Sequence, residues 1–272
     1  MGLRVNTNIA SLTAQRNLQG VSLRLQGNFA RLASGLRISA AADDAAGLAI
    51  SERMRSQIRS YTVAGRNAQD GISMVQTGES ALNEVSNILI RMRELSIQAA
   101  NGTLSTGDRS TVDTEFQQLI EELDRVSSQT AFNGVNLLNN TNTLNIQVGI
   151  NANQIIPITS VDVSSTNLGI GTASVTSISN ANAALGVIDT ALNTLNTARG
   201  ELGAAQNRIQ SAFNSIQNVR ENLSAAESRI RDVDVAAETA DLSRNSIIQQ
   251  AATSILQQAN VQPQIALALL QG

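Results

Sequence analysis

The sequence predicts a mainly α-helical fold, in which long, antiparallel, coiled-coil-like helices are formed by the N- and C-terminal parts of the chain. A small β-hairpin region is expected at mid-sequence. Apolar residues recur with helical spacing over long stretches, and proline occurs only at positions 157 and 263. Strict alternation of apolar and polar residues, which is typical of a strand, is confined to the middle of the chain.

The N-terminal segment is predicted to be a basic helix. Residues 1–42 carry five arginines and no acid, whereas the rest of the chain holds 14 arginines and all 22 acids. Its apolar residues are spaced for a helix, at Val5, Ile9, Leu12, Leu18, Val21, Leu25, Phe29, Leu32 and Leu36. An arginine-bearing, acid-free start is also typical of a mitochondrial-type transit peptide, and composition alone leaves that alternative open.

The stretch RLASGLRISAAADDAAGLAISERM, residues 31–54, contains the adjacent acids Asp43 and Asp44. Neighbouring residues of a helix project about 100° apart, so this pair is poorly placed to act as two carboxylates in one active site. Near a helix start, however, carboxylates accept bonds from unpaired N–H groups. We therefore expect a joint between two helices, with a long helix beginning near Asp44. The sequence DVD at 232–234 is a similar acidic pair near the other end of the chain. Because no predicted strand accompanies it, it is weak evidence for a metal-binding motif.

Three further segments have helical spacing. Two are short, with apolar residues at Leu82, Val85, Leu89 and Met92, and at Val112, Phe116, Leu119, Leu123 and Val126. The longest keeps a 3-4 alternation for over six heptads, from Leu185 to Ile230, which predicts a coiled-coil seam. Polar residues occupy four seam positions, where we expect them to set the register: Arg199, Gln206, Arg220 and Glu227.

The middle of the chain has a different pattern. Residues 142–163 predict a β-hairpin, because Leu144, Ile146 and Val148 alternate with polar residues and an Asn-Ala-Asn sequence can turn the chain. The following stretch, 164–182, is rich in Ser, Thr, Asn and Gly and is predicted to be an exposed connection.

The C-terminal segment carries no charged side chain from residue 245 to residue 272. A helix of this composition is poorly soluble alone, so we infer that the two ends of the chain pack against each other and against other copies. The 4-3-4 spacing of four residues predicts a buried assembly seam, at Ile248, Ala252, Ile255 and Ala259.

The composition removes most catalytic chemistry. The chain has no His, Cys, Trp or Lys, which excludes Ser-His and Cys-His nucleophiles, lysine Schiff bases, zinc sites and disulfides. Carboxylate pairs and oxygen-liganded cations remain available. We predict no catalytic, cofactor-binding or metal site, no cofactor and no enzyme activity. Five scattered arginines make a poor nucleic-acid arm, and no apolar run is long enough for membrane insertion.

Eight motifs follow one another along nearly the whole chain. They are NTNIASLTAQ, RLASGLRISAAADDAAGLAISERM, RNAQDGISMVQTGESALNE, IRMRELSIQAANGT, LDRVSSQTAFNGVNLL, LGAAQNRIQS, NLSAAESRIRDVD and ILQQANVQPQIALALLQ. In their residues and in their order along the chain, they closely resemble the motifs of bacterial flagellin. The resemblance includes residues 16–37, which removes the transit-peptide alternative.

The resemblance implies a minimal flagellin that lacks the large inserted outer domains of longer members. In that family the two ends of the chain lie together. An inner terminal-helix domain, here 1–43 plus 232–272, lines the filament channel and carries assembly. An outer helical domain, here 44–231, contains the β-hairpin near 142–163.

The implied function is a structural subunit that self-assembles into the helical flagellar filament used for swimming. One alternative is a hook–filament junction protein of the same superfamily. Another is a flagellin-like enzyme, which the absence of an inserted catalytic domain disfavours. The implied partners are other copies of the chain, the flagellar export apparatus, a flagellin chaperone, the filament cap and the junction proteins. The implied location is the extracellular flagellum, reached without a cleaved signal peptide.

One binding site follows from the family. Some flagellins are recognised by a host Toll-like receptor through an R-x-R-E-L segment and a nearby Glu. Here that segment is RMREL, so the resemblance implies receptor contacts at Arg91, Leu95 and Glu115.

Overall fold

The computed structural model describes residues 7–271, and the side chains of residues 7–262. In this part of the chain there are five helices and two antiparallel two-stranded sheets, which confirms the mainly α-helical prediction. The elements in chain order are α1 Ile9–Ser34, α2 Ala45–Ala100, α3 Thr106–Gln129, β1 Ala131–Phe132, β2 Val135–Asn136, β3 Thr143–Gln147, β4 Ile155–Thr159, α4 Ile178–Arg231 and α5 Val235–Gln271.

The chain divides into two compact units. One contains residues 1–57 and 222–272, and the other contains residues 58–221, so the divisions fall inside α2 and α4. In the first unit, α1 packs antiparallel to α5, which confirms that the two ends of the chain lie together.

The joints between helices are fixed by the carboxylates that the sequence singles out. Asp44 caps α2, because its Oδ1 accepts a bond from the backbone N–H of Gly47 at 2.9 Å. Asp234 caps α5 in the same way, by accepting from the N–H groups of Ala236 and Ala237. The capping interpretation is therefore confirmed at Asp44, and the DVD motif provides a second cap.

Asp43 has a different partner from its neighbour. Its Oδ2 accepts from the backbone N–H groups of Ser39 and Ala40 at 3.1 and 3.0 Å, within the loop before α2. These bonds, that from Ala40 first, lower the pKa of Asp43 from its ordinary value of 3.8. The loop begins at Gly35, whose φ of 70° ends α1 in the left-handed conformation that glycine adopts without strain.

In the second unit, α2 and α4 are antiparallel neighbours. The ideal Cβ positions of Gly71 and Gly78 lie 3.5 and 3.7 Å from the side chains of Ile209 and Leu202. The core between the helices is apolar, and its fully buried large side chains include Phe116 of α3 and Leu82, Leu89 and Met92 of α2. These residues belong to the predicted helical stripes.

The α4 seam differs from the prediction in every second position. The buried residues are Ile188, Leu195, Leu202 and Ile209, alternating with Ala184, Ala191, Ala198 and Ala205. Arg199 and Gln206, which were expected in the seam, are only half-buried beside it. The alanines take the seam because their small side chains let the helix approach its neighbours closely, whereas burying an arginine would require a charged partner.

The predicted β-hairpin is confirmed as β3 and β4, which pair from Thr143↔Thr159 to Gln147↔Ile155. A second, shorter hairpin, which was not predicted from the sequence, joins β1 and β2. Asn133 and Gly134 form its turn with φ values of 48° and 79°. Two positive φ values identify a primed turn, for which Asn-Gly is the typical sequence.

The prediction of an exposed connection after the hairpin is wrong. Leu168, Ile170 and Val175 are buried in the core of the second unit. Two carboxylates of α3 anchor the segment: Asp124 accepts from the backbone N–H of Ser165 at 2.8 Å, and Asp113 accepts from that of Val175 at 2.7 Å. The sequence did not predict this burial, because the three apolar residues are spaced by two and then five positions within a Ser/Thr-rich segment and match neither a helix nor a strand period.

Candidate assembly and recognition surfaces

The facing sides of α1 and α5 carry small and polar residues. The buried residues of α1 are Ser11, Ala14, Val21, Leu25 and Asn28, which follow a 3-4 spacing with Leu18 half-buried between them. Near the start of α1, the Asn8 amide donates to the Ala259 carbonyl at 2.6 Å, and the Ser11 hydroxyl donates to Asn260 Oδ1 at 2.7 Å. The pair is therefore joined by hydrogen bonds as well as by apolar contact.

At the other end of the pair lies a partly buried polar cluster, which consists of Asn28, Arg31, Glu238 and Asn245. Asn28 Nδ2 donates to Glu238 Oε1 at 2.5 Å, and Asn245 Nδ2 donates to Asn28 Oδ1 at 2.9 Å. Arg31 Nη1 lies 3.5 Å from the same carboxylate. Glu238 and Asn28 are only 9% and 6% exposed. Sequence periodicity does not predict this cluster, although Asn28 lies on the stripe of Val21 and Leu25.

The outer sides of both helices expose large apolar residues. These are Ile9, Leu12, Leu23 and Phe29 on α1, and Val235, Ile247, Ile248, Ile255 and Val261 on α5. The predicted apolar stripe of the N-terminal helix is therefore only partly buried within the chain. A single exposed isoleucine is ordinary, but a series of them on two paired helices is typical of a surface that another molecule covers.

The four residues of the predicted assembly seam are not equivalent in the structure. Ala259 is buried and Ala252 is half-buried, whereas Ile248 and Ile255 are 40% and 58% exposed. The half-buried residues between them on α5, Gln249 and Leu256, mark the side of the helix that packs on α1. The isoleucines of the predicted seam thus lie beside the α1 contact and remain accessible.

A charged group occupies the surface where α2 meets α3. Arg91 donates from Nε and Nη2 to Glu115 Oε1 at 2.9 and 2.8 Å, and from Nη1 to Glu94 Oε2 at 3.0 Å. The bonds to Glu115 first, and then to Glu94, raise the pKa of Arg91 above its ordinary value. The side chains of Arg91 and Glu115 are about half exposed, so both are accessible to a partner.

Leu95 is not part of that surface. It is 1% exposed and belongs to the core of the second unit. Although Leu95 is one helical turn from Arg91, it also follows Met92 by three residues, on the stripe that faces the core. The expected contact through the Leu95 side chain is therefore inconsistent with this structure, because a partner cannot reach it.

The described residues offer little that is typical of an active site. Among them, no three His, Cys, Asp or Glu side chains gather closely enough to hold a metal ion. No helix within the described part of the chain is long and apolar enough to cross a membrane. Extended helical surfaces are the features that remain, and they are suited to binding other proteins.

Comparison with known proteins finds matches along nearly the whole chain. Residues 5–143 match the bacterial flagellin N-terminal helical region, and residues 185–270 match the bacterial flagellin C-terminal helical region. A flagellin of Halalkalibacterium halodurans is 46% identical over 271 residues, which cover 98% of this chain and 99% of the relative. The flagellar filament 33 kDa core protein of Treponema phagedenis is 42% identical over 283 residues, with 98% and 99% covered.

A solved structure gives the same result. The crystal structure of Bacillus cereus flagellin is similar with a TM-score of 0.52 and 33% sequence identity, and the similarity covers 60% of this chain and 94% of that one. Both terminal regions of the family are thus present, in order and nearly end to end. The chain belongs to the bacterial flagellin family.

Proposed function

We propose that this chain, a structural subunit of the bacterial flagellar filament, assembles through the exposed apolar faces of α1 and α5. The observation that carries the proposal is the set of large apolar side chains left accessible on both paired helices, among them Phe29 at 60% and Ile255 at 58% exposure. Covering such residues removes apolar surface from water and drives association.

The occupant that we propose for these faces is a second copy of the chain. The C-terminal segment from residue 245 onward carries no charge, so a partner that covers α5 needs apolar and amide groups rather than opposite charges. The faces of α1 and α5 supply such groups. A contact between different surfaces of identical subunits that does not close into a ring propagates as a helical filament.

The proposed domain assignment follows that of the family. We propose that residues 1–43 and 232–272 form the inner, channel-lining domain and that residues 44–231 form the outer domain. The helix caps at Asp44 and Asp234 support this assignment, because they place a helix boundary just inside each proposed division. The two compact units divide instead at 57/58 and 221/222, within α2 and α4, so the proposed domains follow the helix boundaries and not the units.

The full-length similarity to filament flagellins supports the filament subunit over the hook–filament junction protein. We propose a structural role without catalysis. Family membership favours export to the extracellular filament by the flagellar apparatus, with a dedicated chaperone and without a cleaved signal peptide. It also favours binding to the cap and junction proteins.

A second proposed interaction is recognition by a host Toll-like receptor. The exposed charged group of Arg91, Glu94 and Glu115 supports it, because an arginine that already meets two carboxylates at an accessible surface can exchange one of them for a partner's acid. Leu95 would contribute only by holding α2 in place. Arg91→Ala should weaken receptor activation by the soluble chain, with Arg125→Ala, a comparably exposed arginine on α3, as the matched control. Equal signalling by both variants and the parent would exclude this site.

The assembly proposal is tested by seeded polymerisation. Phe29→Ser should retain the helical circular dichroism of the parent, because Phe29 is largely exposed in the single chain, yet it should elongate filament seeds more slowly. Gln26→Ser, at an exposed polar position of α1, is the matched control. Electron microscopy gives filament lengths, and parental growth of Phe29→Ser would overturn the assembly role of the α1 face.

A further inference from the structure

The β3–β4 hairpin pairs with no third strand in the described part of the chain, so each of its strands has an outer backbone edge. The Val148 N–H donates to the Gln154 carbonyl at 3.0 Å, which makes these two residues a hydrogen-bonded pair. Such pairs alternate with pairs whose backbone groups point away from the partner strand. The outer edge of β4 therefore consists of Ile155, Pro157 and Thr159, whose N–H and C=O positions point away from β3.

The open part of this edge is short, and Pro157 lies at its centre. The next outward N–H along the chain belongs to Val161, and it donates to the Leu137 carbonyl at 3.2 Å. The edge is thus covered from residue 161 onward, whereas the side chains of Ile155, Pro157 and Thr159 are all exposed. Because proline has no N–H, the middle of the open edge lacks its donor.

The outer edge of β3 is limited in another way, by its contact with α2. Asn67 Nδ2 donates to the outward carbonyl of Gln147 at 3.2 Å, and the Ile146 side chain lies 3.2 Å from the ideal Cβ position of Gly71. Asn145, which faces Pro157 across the hairpin, is of a residue type that is depleted in strands. The two edges are therefore not equivalent, and β4 depends on its own proline.

The sequence around Pro157 is otherwise suited to the addition of another strand. Residues 154–161, QIIPITSV, carry no charge and are rich in β-branched residues. Uncharged segments of this kind that lack proline are typical of strands that stack on one another. Edge strands are commonly protected by charges, bulges or proline, and residues 142–161 contain no charged side chain. Proline is therefore the protection that this edge has.

We infer that Pro157 closes the outer edge of β4 against strand addition, and that without it the hairpins of two copies pair through this edge and divert soluble chain from filament growth. In a symmetric antiparallel pairing centred on residue 157, each proline removes the N–H that the carbonyl of the other copy needs, and its ring occupies that position. The diversion from filament growth rests on the proposed function. The closed edge does not, because pairing is measured in the soluble chain.

The test replaces Pro157 with threonine, which restores the N–H and suits an exposed strand position. The two central hydrogen bonds regained should raise the self-association constant by about 10- to 100-fold, measured by sedimentation equilibrium without seeds. The amide I infrared band should gain an intermolecular β component. Asn145→Thr, directly opposite, is the matched control: it adds the same residue without changing the β4 edge, so it should associate like the parent.

A second variant keeps the composition and moves the proline along the same edge. In Pro157→Thr/Thr159→Pro, the new proline replaces another residue whose N–H points outward, so no bond within the hairpin is lost and the edge is closed again. Its self-association should stay parental. Pro157→Glu restores the N–H but brings like charges opposite each other in the symmetric pairing, and it should also remain unassociated. Thermal unfolding checks that each variant is folded.

Parental self-association of Pro157→Thr overturns the inference, and so does association without a gain of intermolecular β structure. Association of folded Pro157→Thr/Thr159→Pro or Pro157→Glu at the level of Pro157→Thr also overturns it, because the outer edge of β4 is then not the contact.

Seeded growth separates the two parts of the inference. Pro157→Thr should elongate parental seeds more slowly, by the fraction of chain lost to pairing. If the hairpins pair while seeds grow at the parental rate, the diversion from assembly fails and the closed edge stands. If the parent itself does not elongate seeds, the proposed function fails, and the comparison of self-association still decides the role of Pro157.

Discussion

Replacing Ile255 with serine tests the α5 assembly face without disturbing the single chain. Ile255 is 58% exposed, so most of its surface contributes nothing to the stability of the isolated subunit. Full burial of an isoleucine is worth about 1.5–3 kcal/mol, and covering the exposed 58% is therefore worth about 0.9–1.7 kcal/mol per subunit. At about 1.4 kcal/mol per factor of ten, Ile255→Ser should raise the critical concentration for filament growth by about 4- to 16-fold.

The assay measures the soluble protein that remains in equilibrium with seeded filaments. Ile178→Ser is the matched control, because it makes the same substitution at a residue of α4 that is 42% exposed and outside the proposed face. Thermal unfolding of the unassembled variants should match the parent. A critical concentration for Ile255→Ser within twofold of the parent, or an equal rise for Ile178→Ser, would contradict the assembly role of the α5 face.

Three further outcomes are expected. Ala252→Asp should abolish seeded growth, because it places a carboxylate on the half-buried side of α5, while the unit of residues 58–221 should unfold as in the parent. Ser254→Gln, at an exposed position of the same helix, should leave seeded growth unchanged. Leu95→Ala should cost about 2–5 kcal/mol in chemical denaturation, because it leaves a cavity in the core. Asp43→Ala should be less stable than the parent above pH 3.8, and the difference should vanish as the pH falls through the lowered pKa of Asp43.

The sign of the pH effect follows from the direction of the shift. A carboxyl whose pKa is lower in the folded chain binds protons more weakly there than in the unfolded chain, so its contribution is complete above the ordinary value and is lost in acid. Unfolding of parent and variant at several acidic pH values measures this. A difference in stability between the parent and Asp43→Ala that persists in strong acid would contradict the bonding assigned to Asp43. Seeded growth of Ala252→Asp would contradict the burial of that side of α5. Parental stability of Leu95→Ala would contradict the core position of Leu95.

The helical segments, the joints between them and the β3–β4 hairpin could be predicted from the sequence alone. Each depends on local chemistry: periodic apolar residues for helices, a carboxylate before unpaired N–H groups at Asp44, and for the hairpin the alternation of Leu144, Ile146 and Val148 before an Asn-Ala-Asn turn. The motifs, together with the uncharged C-terminal segment, were sufficient to predict the family and the pairing of the two ends. None of these features requires knowledge of which residues meet across the fold.

The tertiary structure decided which side of each helix is used. Alanines rather than Arg199 and Gln206 fill the α4 seam, because the distance between helices, and not the periodicity, sets the size of the residue that fits. Leu95 is buried although its neighbour Arg91 is exposed, since α3 and α4 cover one side of α2 and leave another free. A single sequence does not reveal these partners.

The sequence of α5 also does not show which of its sides packs on α1. The 4-3-4 spacing in its sequence predicts a seam at Ile248, Ala252, Ile255 and Ala259. Only the fold brings Asn28 opposite Glu238 and Asn245, residues more than 200 positions apart in the chain. Periodicity identifies a helix and its apolar side, but a buried hydrogen bond between distant segments depends on both partners at once, so the sequence of one helix does not reveal it.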